Sequence, residues 1–364
     1  MKPGMLTSII AMTVFAVLAT PVRLSAQDQP EHHKKTYYSV KDLGTLGGTG
    51  AAAEGISNRS WIVGTSNLAG DQSGHAYLCR DGVMTDLGTL GGLNSAVQWP
   101  VKDDRGLIAG IAETSNADPL GEKLFCPFGN GLICLGFLWQ NGVMTALPTL
   151  GGNNGGAFGV NNRGQLVGST ENSTKDPTCT PPQVLDFEAV VWELKQGRVK
   201  IKELPPLPGD TVGLAEGIND KGQAVGVSGV CSDYTRHAVL WQNGSVTDLG
   251  SLGGVLFSFS SAINSRGQVV GSSDLPGDTT GHAFLWTEED GMQDLGTVSG
   301  DSASTSYGIN DKGQVVGTSC IDATFNICRA FLWQDGVMTD LNTLVKPGST
   351  PLYLFFGNDI NSRG

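Results

Sequence analysis

The sequence is short of charge. Lys, Arg, Asp and Glu make up 16% of the chain, against about a quarter in an ordinary globular protein. Bases are the scarcer sign, 23 against 35 acids, for a net charge of −12. That balance excludes the phosphate-tracking surface that nucleic-acid binding requires and offers nothing to anionic lipid. Long apolar runs are missing too: beyond Met5 to Ala19 no stretch nears the ~20 residues that span a bilayer. Also absent are a Gly-x-Ser-x-Gly elbow, His-Glu-x-x-His, a phosphate loop, a twelve-residue calcium loop and Cys-x-x-Cys, so the mechanisms those motifs serve lose support. No catalytic residue, cofactor or metal is expected. Yet the chain is 39% hydrophobic, with seven Trp and thirteen Phe, too apolar for disorder. What it has in excess is glycine, 52 of 364 residues.

The amino-terminal apolar run follows Met1 and Lys2 and leads to Leu24-Ser25-Ala26, the small residues a signal peptidase reads. Residues 1–26 are expected to be a signal peptide and 27–36 a polar lead-in. Export to a secreted, extracellular or periplasmic location follows, with no membrane span once the signal is removed. Without Lys2 and Arg23 the mature chain keeps 21 bases (23 − 2) against 35 acids.

Everything after residue 36 repeats. Asp42-Leu43-Gly44-Thr45-Leu46-Gly47-Gly48 returns unchanged at Asp86–Gly92, and its anchoring leucine recurs at Leu43, Leu87, Leu147, Leu204, Leu249, Leu295 and Leu341. A second marker, Gly-Ile-Asn-x-x-Gly-Gln-x-Val-Gly, stands at Gly217–Gly226 and Gly308–Gly317, with relatives at Gly55–Gly64, Gly159–Gly168 and Ala262–Gly271; the copy at Pro100–Gly110 is degenerate. A third, His282-Ala283-Phe284-Leu285-Trp286, is echoed at His75–Cys79, Gly136–Trp139, His237–Trp241 and Arg329–Trp333. Each unit reads as four short strands joined by Asn-Asp-Lys-Gly and Gln-Asp-Gly hairpin turns, with no helical period between them. A four-stranded meander every ~45 residues cannot bury both its faces alone, and stacking radially also protects its edges. The fold class is therefore all-β, a β-propeller of four-stranded antiparallel blades; a β-helix is the runner-up.

Six repeats are complete. Tyr37 to Leu46 reads as an orphan fourth strand and Leu352 to Asn361 as an orphan first strand. The expected ring is seven-bladed, with both termini sharing one incomplete blade; this implies a carboxy-terminal truncation of ~30 residues. A six-bladed ring with leftover strands is the alternative. Inner strands of Gly, Ala and Ser suit the crowded axis, while Phe137, Trp139, Trp192, Trp241, Phe284, Trp286, Phe331 and Trp333 on the third strands are expected to fill the space between blades.

Taken together, the His-Ala-Phe-Leu-Trp run at 282–286, the heptapeptide at 86–92 and the Gly-Ile-Asn element at 308–317 resemble the HAF-repeat family of probable extracellular bacterial proteins. The likeness covers residues 37–364, with the second and third repeats longer than the rest. It implies a secreted bacterial repeat protein and brings neither an established activity nor catalytic residues.

Seven cysteines in an exported chain invite pairing, with one left over. Cys79 stands where other repeats carry Trp, so it is expected to be a buried thiol. Cys126 with Cys134 and Cys320 with Cys328 share loops at the same spacing, and Cys179 with Cys231 occupy corresponding loops of adjacent repeats. All six lie in loops between second and third strands. These loops hold the length variation, on the face opposite the tight turns, and variable loops on a rigid scaffold are where recognition resides. The candidate ligand contacts there are Asp118, Glu122, Lys123, Phe125, Phe128 and Lys175. His75, His237 and His282 share one repeat position and read as structural hydrogen bonds at strand starts; Asp71, Asp210, Asp278 and Asp301 read as turn formers. The function expected is a non-enzymatic binding or adhesion module for an extracellular glycan or cell-envelope component. A carbohydrate-active hydrolase or lyase, or a structural envelope protein, are the alternatives.

Overall fold

In the computed structural model the described residues are 36–98, 104–231, 235–349 and 352–364. The expected signal peptide, 1–26, and all but residue 36 of the expected lead-in lie outside them. Residues 37–364 form one compact unit.

Among the described residues twenty-four strands make six antiparallel sheets of four. Blade one holds β1 (Gly47–Ile56), β2 (Ile62–Leu68), β3 (Gly74–Arg80) and β4 (Val83–Asp86); blade two, β5 (Gly91–Ala96), β6 (Ile108–Ala117), β7 (Leu132–Gln140) and β8 (Val143–Ala146). Blade three holds β9 (Gly151–Val160), β10 (Gln165–Lys175), β11 (Leu185–Lys195) and β12 (Arg198–Leu204); blade four, β13 (Val212–Ile218), β14 (Ala224–Gly229), β15 (Arg236–Gln242) and β16 (Ser245–Asp248). Blade five holds β17 (Ser258–Ile263), β18 (Val269–Asp274), β19 (Gly281–Thr287) and β20 (Gly291–Asp294); blade six, β21 (Ala303–Ile309), β22 (Val315–Cys320), β23 (Cys328–Gln334) and β24 (Val337–Asp340).

The blades thus number six, the alternative count. The stretches expected to begin a seventh, 37–46 and 352–361, carry no sheet: Tyr38 and Leu46 make isolated parallel bridges to Val345 and Leu68, and 352–361 has no strand. A strand needs a partner along its length, and among the described residues 352–361 meets blade six only at separate points, Ala330 N donating to Leu354 O at 2.9 Å and Gly357 N to Gly317 O at 3.1 Å.

Packing between blades follows the repeat. Trp192 and Trp241 are fully buried, and each indole N–H donates across the gap, to the carbonyls of Pro148 at 2.9 Å and Pro205 at 2.7 Å. Phe137, Phe284 and Phe331 are likewise fully buried. Cys79 takes the Trp register opposite Ile62 and is a buried free thiol. In each blade a second-strand glycine meets an inner-strand carbonyl so closely that a Cβ on Gly226 or Gly271 would lie 2.0 or 1.9 Å from the oxygen of Leu214 or Phe259. Any side chain there would push the inner strand away.

Where Gly-Ile-Asn turns meet the axis, asparagines join neighbouring repeats. Asn219 accepts from the N–H groups of Lys221 and Gln223 through Oδ1 at 3.0 and 3.1 Å, and its Nδ2 donates to the carbonyl of Asn264 at 2.9 Å. The same donation runs from Asn161 to Asn219, Asn264 to Asn310, Asn310 to Asn361 and Asn361 to Ser57. This turn face is therefore stitched blade to blade by carboxamides.

Candidate functional site

The opposite, loop face carries the disulfides. Cys126–Cys134, Cys179–Cys231 and Cys320–Cys328 are all formed. Asp176 lies with Cys179 and Cys231 in a metal-like group, but both sulfurs are committed to their disulfide, which leaves one carboxylate as ligand.

The six candidate contacts separate by exposure. Asp118 is buried, with Oδ1 accepting from Leu120 N at 2.9 Å and Oδ2 from Glu122 N at 2.8 Å and Asn154 Nδ2 at 3.1 Å. Glu122 is buried too, and its Oε1 takes the N–H groups of Val184 and Leu185 in the neighbouring blade's loop at 2.9 and 2.7 Å. Phe125 stacks edge-on against Phe187 with centroids 5.4 Å apart. With half-buried Phe128 it joins an apolar cluster that includes Ala96 of β5 and Val212 and Leu214 of β13. These four tie the blade-two loop down over three blades. Lys123 and Lys175 remain exposed, together with Leu120 and Leu124.

Other carboxylates of this face hold the backbone. Glu171 accepts from Asn153 N and Asn154 N at 3.1 and 2.8 Å, and burial raises its pKa. Glu113 does the same for Leu93 and Asn94 in blade two. Asp71 and Asp278 sit at positive φ and accept from Thr49 N and Val255 N, so they serve as turn formers. Asp210 and Asp301 accept from the hydroxyls of Ser228 and Ser319.

One place on the loop face departs from the repeat. In blades one and five the third-strand histidine closes on the fourth-strand aspartate, His75 to Asp86 at 2.8 Å and His282 to Asp294 at 2.9 Å. In blade four His237 and Asp248 stand 3.9 Å apart and both are more than a third exposed. A groove of about 300 Å³ opens there, lined by Arg236, His237, Asp248, Ser251, Val255 and Phe257. Its far wall is the passage into blade five, where Val255-Leu256-Phe257 replaces the Leu93-Asn94 that packs beside His75 in blade one. Phe257 is 41% exposed and Val255 75%. The Arg236 guanidinium is occupied by the carbonyls of Val230 and Thr235 at 2.8 and 2.9 Å, so an imidazole, a carboxylate and an aromatic face are what the concavity offers, a set that suits a polar, hydroxyl-rich ligand with an apolar face. Repeat comparison treats His237 as structural; the Val-Leu-Phe insertion was the signal that could have marked the groove.

A second concavity, about 100 Å³, lies at the axis on the turn face, lined by Ile218, Ile263 and Ile309 beneath Asn219, Asn264 and Asn310. Its carboxamides are used between blades, as described above. Deeper, one residue in each inner strand except β5 sits at a β-bulge, Glu54 in β1, Glu216 in β13 and Tyr307 in β21 among them. Burial alone pushes Glu54 to about 7 and Glu216 to about 8, and Glu216 Oε2 has no hydrogen-bond partner.

No protein-family model matches the sequence, and no curated protein does. Solved structures share the fold. The β-propeller domain of the Trilobed protease from Pyrococcus furiosus is 11% identical with a TM-score of 0.47, over 80% of this chain and 81% of that one. Pyrococcus horikoshii acylaminoacyl peptidase is 12% identical with a TM-score of 0.50, over 80% of this chain and 44% of the peptidase. TolB from Acinetobacter baumannii is 12% identical with a TM-score of 0.43, over 74% and 58%. This chain thus spans less than half of the peptidase. At such identities the likeness is one of fold, and the protein is a β-propeller.

Proposed function

We propose that this protein is an exported, non-enzymatic binding or adhesion propeller that takes an extracellular glycan or cell-envelope component on its loop face, in the groove between blades four and five. The observation that carries this reading is the opened His237–Asp248 pair, 3.9 Å where its counterparts close at 2.8 and 2.9 Å. It leaves polar groups and Phe257 facing one concavity on a rigid frame. Three disulfides support an oxidising compartment, and among the described residues no helix is long and apolar enough to cross a membrane. The resemblance to HAF repeats supports secretion. Glu113, Asp118, Glu122 and Glu171 each accept backbone N–H groups, which gives these four a structural use on the loop face.

The test is a glycan and peptidoglycan-fragment screen on residues 27–364, with product formation followed in the same wells. A ligand that binds without turnover, and at least tenfold more weakly to Phe257→Ala and Asp248→Asn, is expected. Binding indifferent to both substitutions would remove the groove; product release would favour the carbohydrate-active enzyme.

A further inference from the structure

On the loop face each blade sets one third-strand side chain beside one fourth-strand side chain, and the register is the same throughout. Tyr77 pairs with Asp86, Phe137 with Ala146, Val190 with Glu203, Val239 with Asp248, Phe284 with Asp294 and Phe331 with Asp340. Two residues before these third-strand partners stand His75, Leu135, Glu188, His237, His282 and Arg329. Four blades thereby put a base against an acid: His75–Asp86 at 2.8 Å, His282–Asp294 at 2.9 Å, and His237–Asp248 and Arg329–Asp340 both at 3.9 Å. Blade two puts Leu135 and Ala146 there and carries no charge. Blade three puts acid against acid, Glu188 and Glu203.

A third carboxyl joins them. Asp186 lies two residues before Glu188 on β11 and therefore on the same side of the sheet. Its Oδ2 accepts from Asn172 Nδ2 at 2.9 Å, while its buried Oδ1 has no hydrogen-bond partner. Glu188 is 8% exposed, and its Oε2 has no partner either. Burial first, then the charges of Asp186, Glu203 and Asp176, push the Glu188 carboxyl up to about 8. Burial raises Asp186 as well. Asp176 adds charge but no ligand, since its oxygens already accept from Thr178 and Thr211. Among the described residues no ion pair includes Asp186, Glu188 or Glu203. Enclosing carboxyl oxygens with neither a base nor a donor is costly, and in four of the other five blades a base stands at this position.

We propose that blade three replaces the repeat's base with a hard divalent cation, held by Asp186 Oδ1, Glu188 Oε2 and the Glu203 carboxylate. The residue types fit. Two enclosed carboxyl oxygens and a third carboxylate on an exposed side chain, able to turn in from solvent, supply the all-oxygen set such an ion takes, and water fills the remaining positions. An oxygen as enclosed as Glu188 Oε2 admits a small ion, whereas the ammonium or guanidinium of a partner protein is too bulky to reach it. The site shares no residue with the groove between blades four and five, so it stands or falls apart from the glycan reading.

The probe is calcium chloride, titrated by calorimetry into the 27–364 protein after treatment with EDTA, with Tm followed in parallel and potassium chloride at equal ionic strength as the comparison. One ion per chain is expected to bind, with a Kd of about 10−4 to 10−3 M, the range of extracellular calcium modules. Tm should rise by several degrees in calcium and not in potassium. Glu188→Gln and Asp186→Asn should each weaken binding by about tenfold or more, because affinity follows the number of charged ligands. Both should keep a calcium-free Tm at or above that of wild type, since each removes a charge that has no partner. Glu188→His rebuilds the base-against-acid pair of blades one and five; it is expected to abolish the calcium response and to raise the calcium-free Tm. No heat from calcium, an equal Tm rise in potassium chloride, or calcium binding kept by both Glu188→Gln and Glu188→His would overturn the proposal and leave Glu188 as a carboxyl that simply holds its proton.

Discussion

The two faces of this propeller hold themselves together by different means. On the turn face, Asn161, Asn219, Asn264 and Asn310 repeat one geometry and donate across every boundary they meet. On the loop face the joints are irregular: a disulfide from Cys179 to Cys231 links blades three and four, and the Glu122 carboxylate reaches from blade two into blade three. A periodic joint must serve every repeat and therefore tolerates little variation. Irregular joints are made once, which frees neighbouring loops to differ, and it is on that face that the groove opens.

Breaking the irregular joints should have the largest effect. Replacing Cys179 and Cys231 together by serine removes a crosslink between residues 52 apart and is expected to cost about 4 kcal/mol by loop-closure entropy, against about 2.5 for Cys126 and Cys134, 8 apart. Denaturant midpoints measured side by side check the order. If the periodic joint is as integral as its repetition suggests, Asn219→Ala, which loses the bonds to Lys221, Gln223 and Asn264, should cost about 2–3 kcal/mol, and Asn310→Ala a similar amount; unequal losses would mean that the ring is not periodic in energy.

The axial wall between the faces sharpens the comparison through pH. Burial raises the folded-state pKa of Glu216 to about 8 from 4.5. The native state then holds a proton that the unfolded chain has released, so this residue's contribution is whole below pH 4.5 and is lost as pH rises towards 8. Its slope is up to about 1.4 kcal/mol per pH unit. Glu216→Gln should flatten that part of the stability profile and leave the protein more stable than wild type at pH 9. A profile unchanged by the substitution would show that the carboxyl is solvated in the native state.

The smallest effect belongs to the histidine pairs of the loop face. His282→Ala should cost less than about 1 kcal/mol, since Asp294 is 42% exposed. The Asp294 carboxyl, pushed up by burial but held low on balance by His282 and the Gly296 N–H, should then titrate higher, which carboxyl NMR would detect. His237→Ala should cost still less, because its pair is already open.

Much of this is legible in the sequence. Repeat position alone identified Cys79 as the buried thiol, because a residue in the Trp register inherits the Trp environment, and it paired the other six cysteines through shared or corresponding loops. Asp118, Glu122 and Phe125 were different. They sit in a loop whose sequence is not repeated in the corresponding loops of other blades, so nothing periodic indicated that they turn inward; their burial follows from Phe187 and Asn154, which the sequence places far away. His237 erred in the other direction. The repeat marked it as one of three equivalents, and only the passage through Val255 and Phe257 sets it apart.

The sequence by itself determined the β-propeller, the four-strand unit, the turn chemistry and the disulfides, because each of these repeats at fixed spacing or depends on position within the repeat. Only the tertiary structure decided how many sheets close, which loop residues face inward, and where a groove opens. Those depend on what packs against each surface from another part of the ring, and periodicity along the chain carries no record of such contacts.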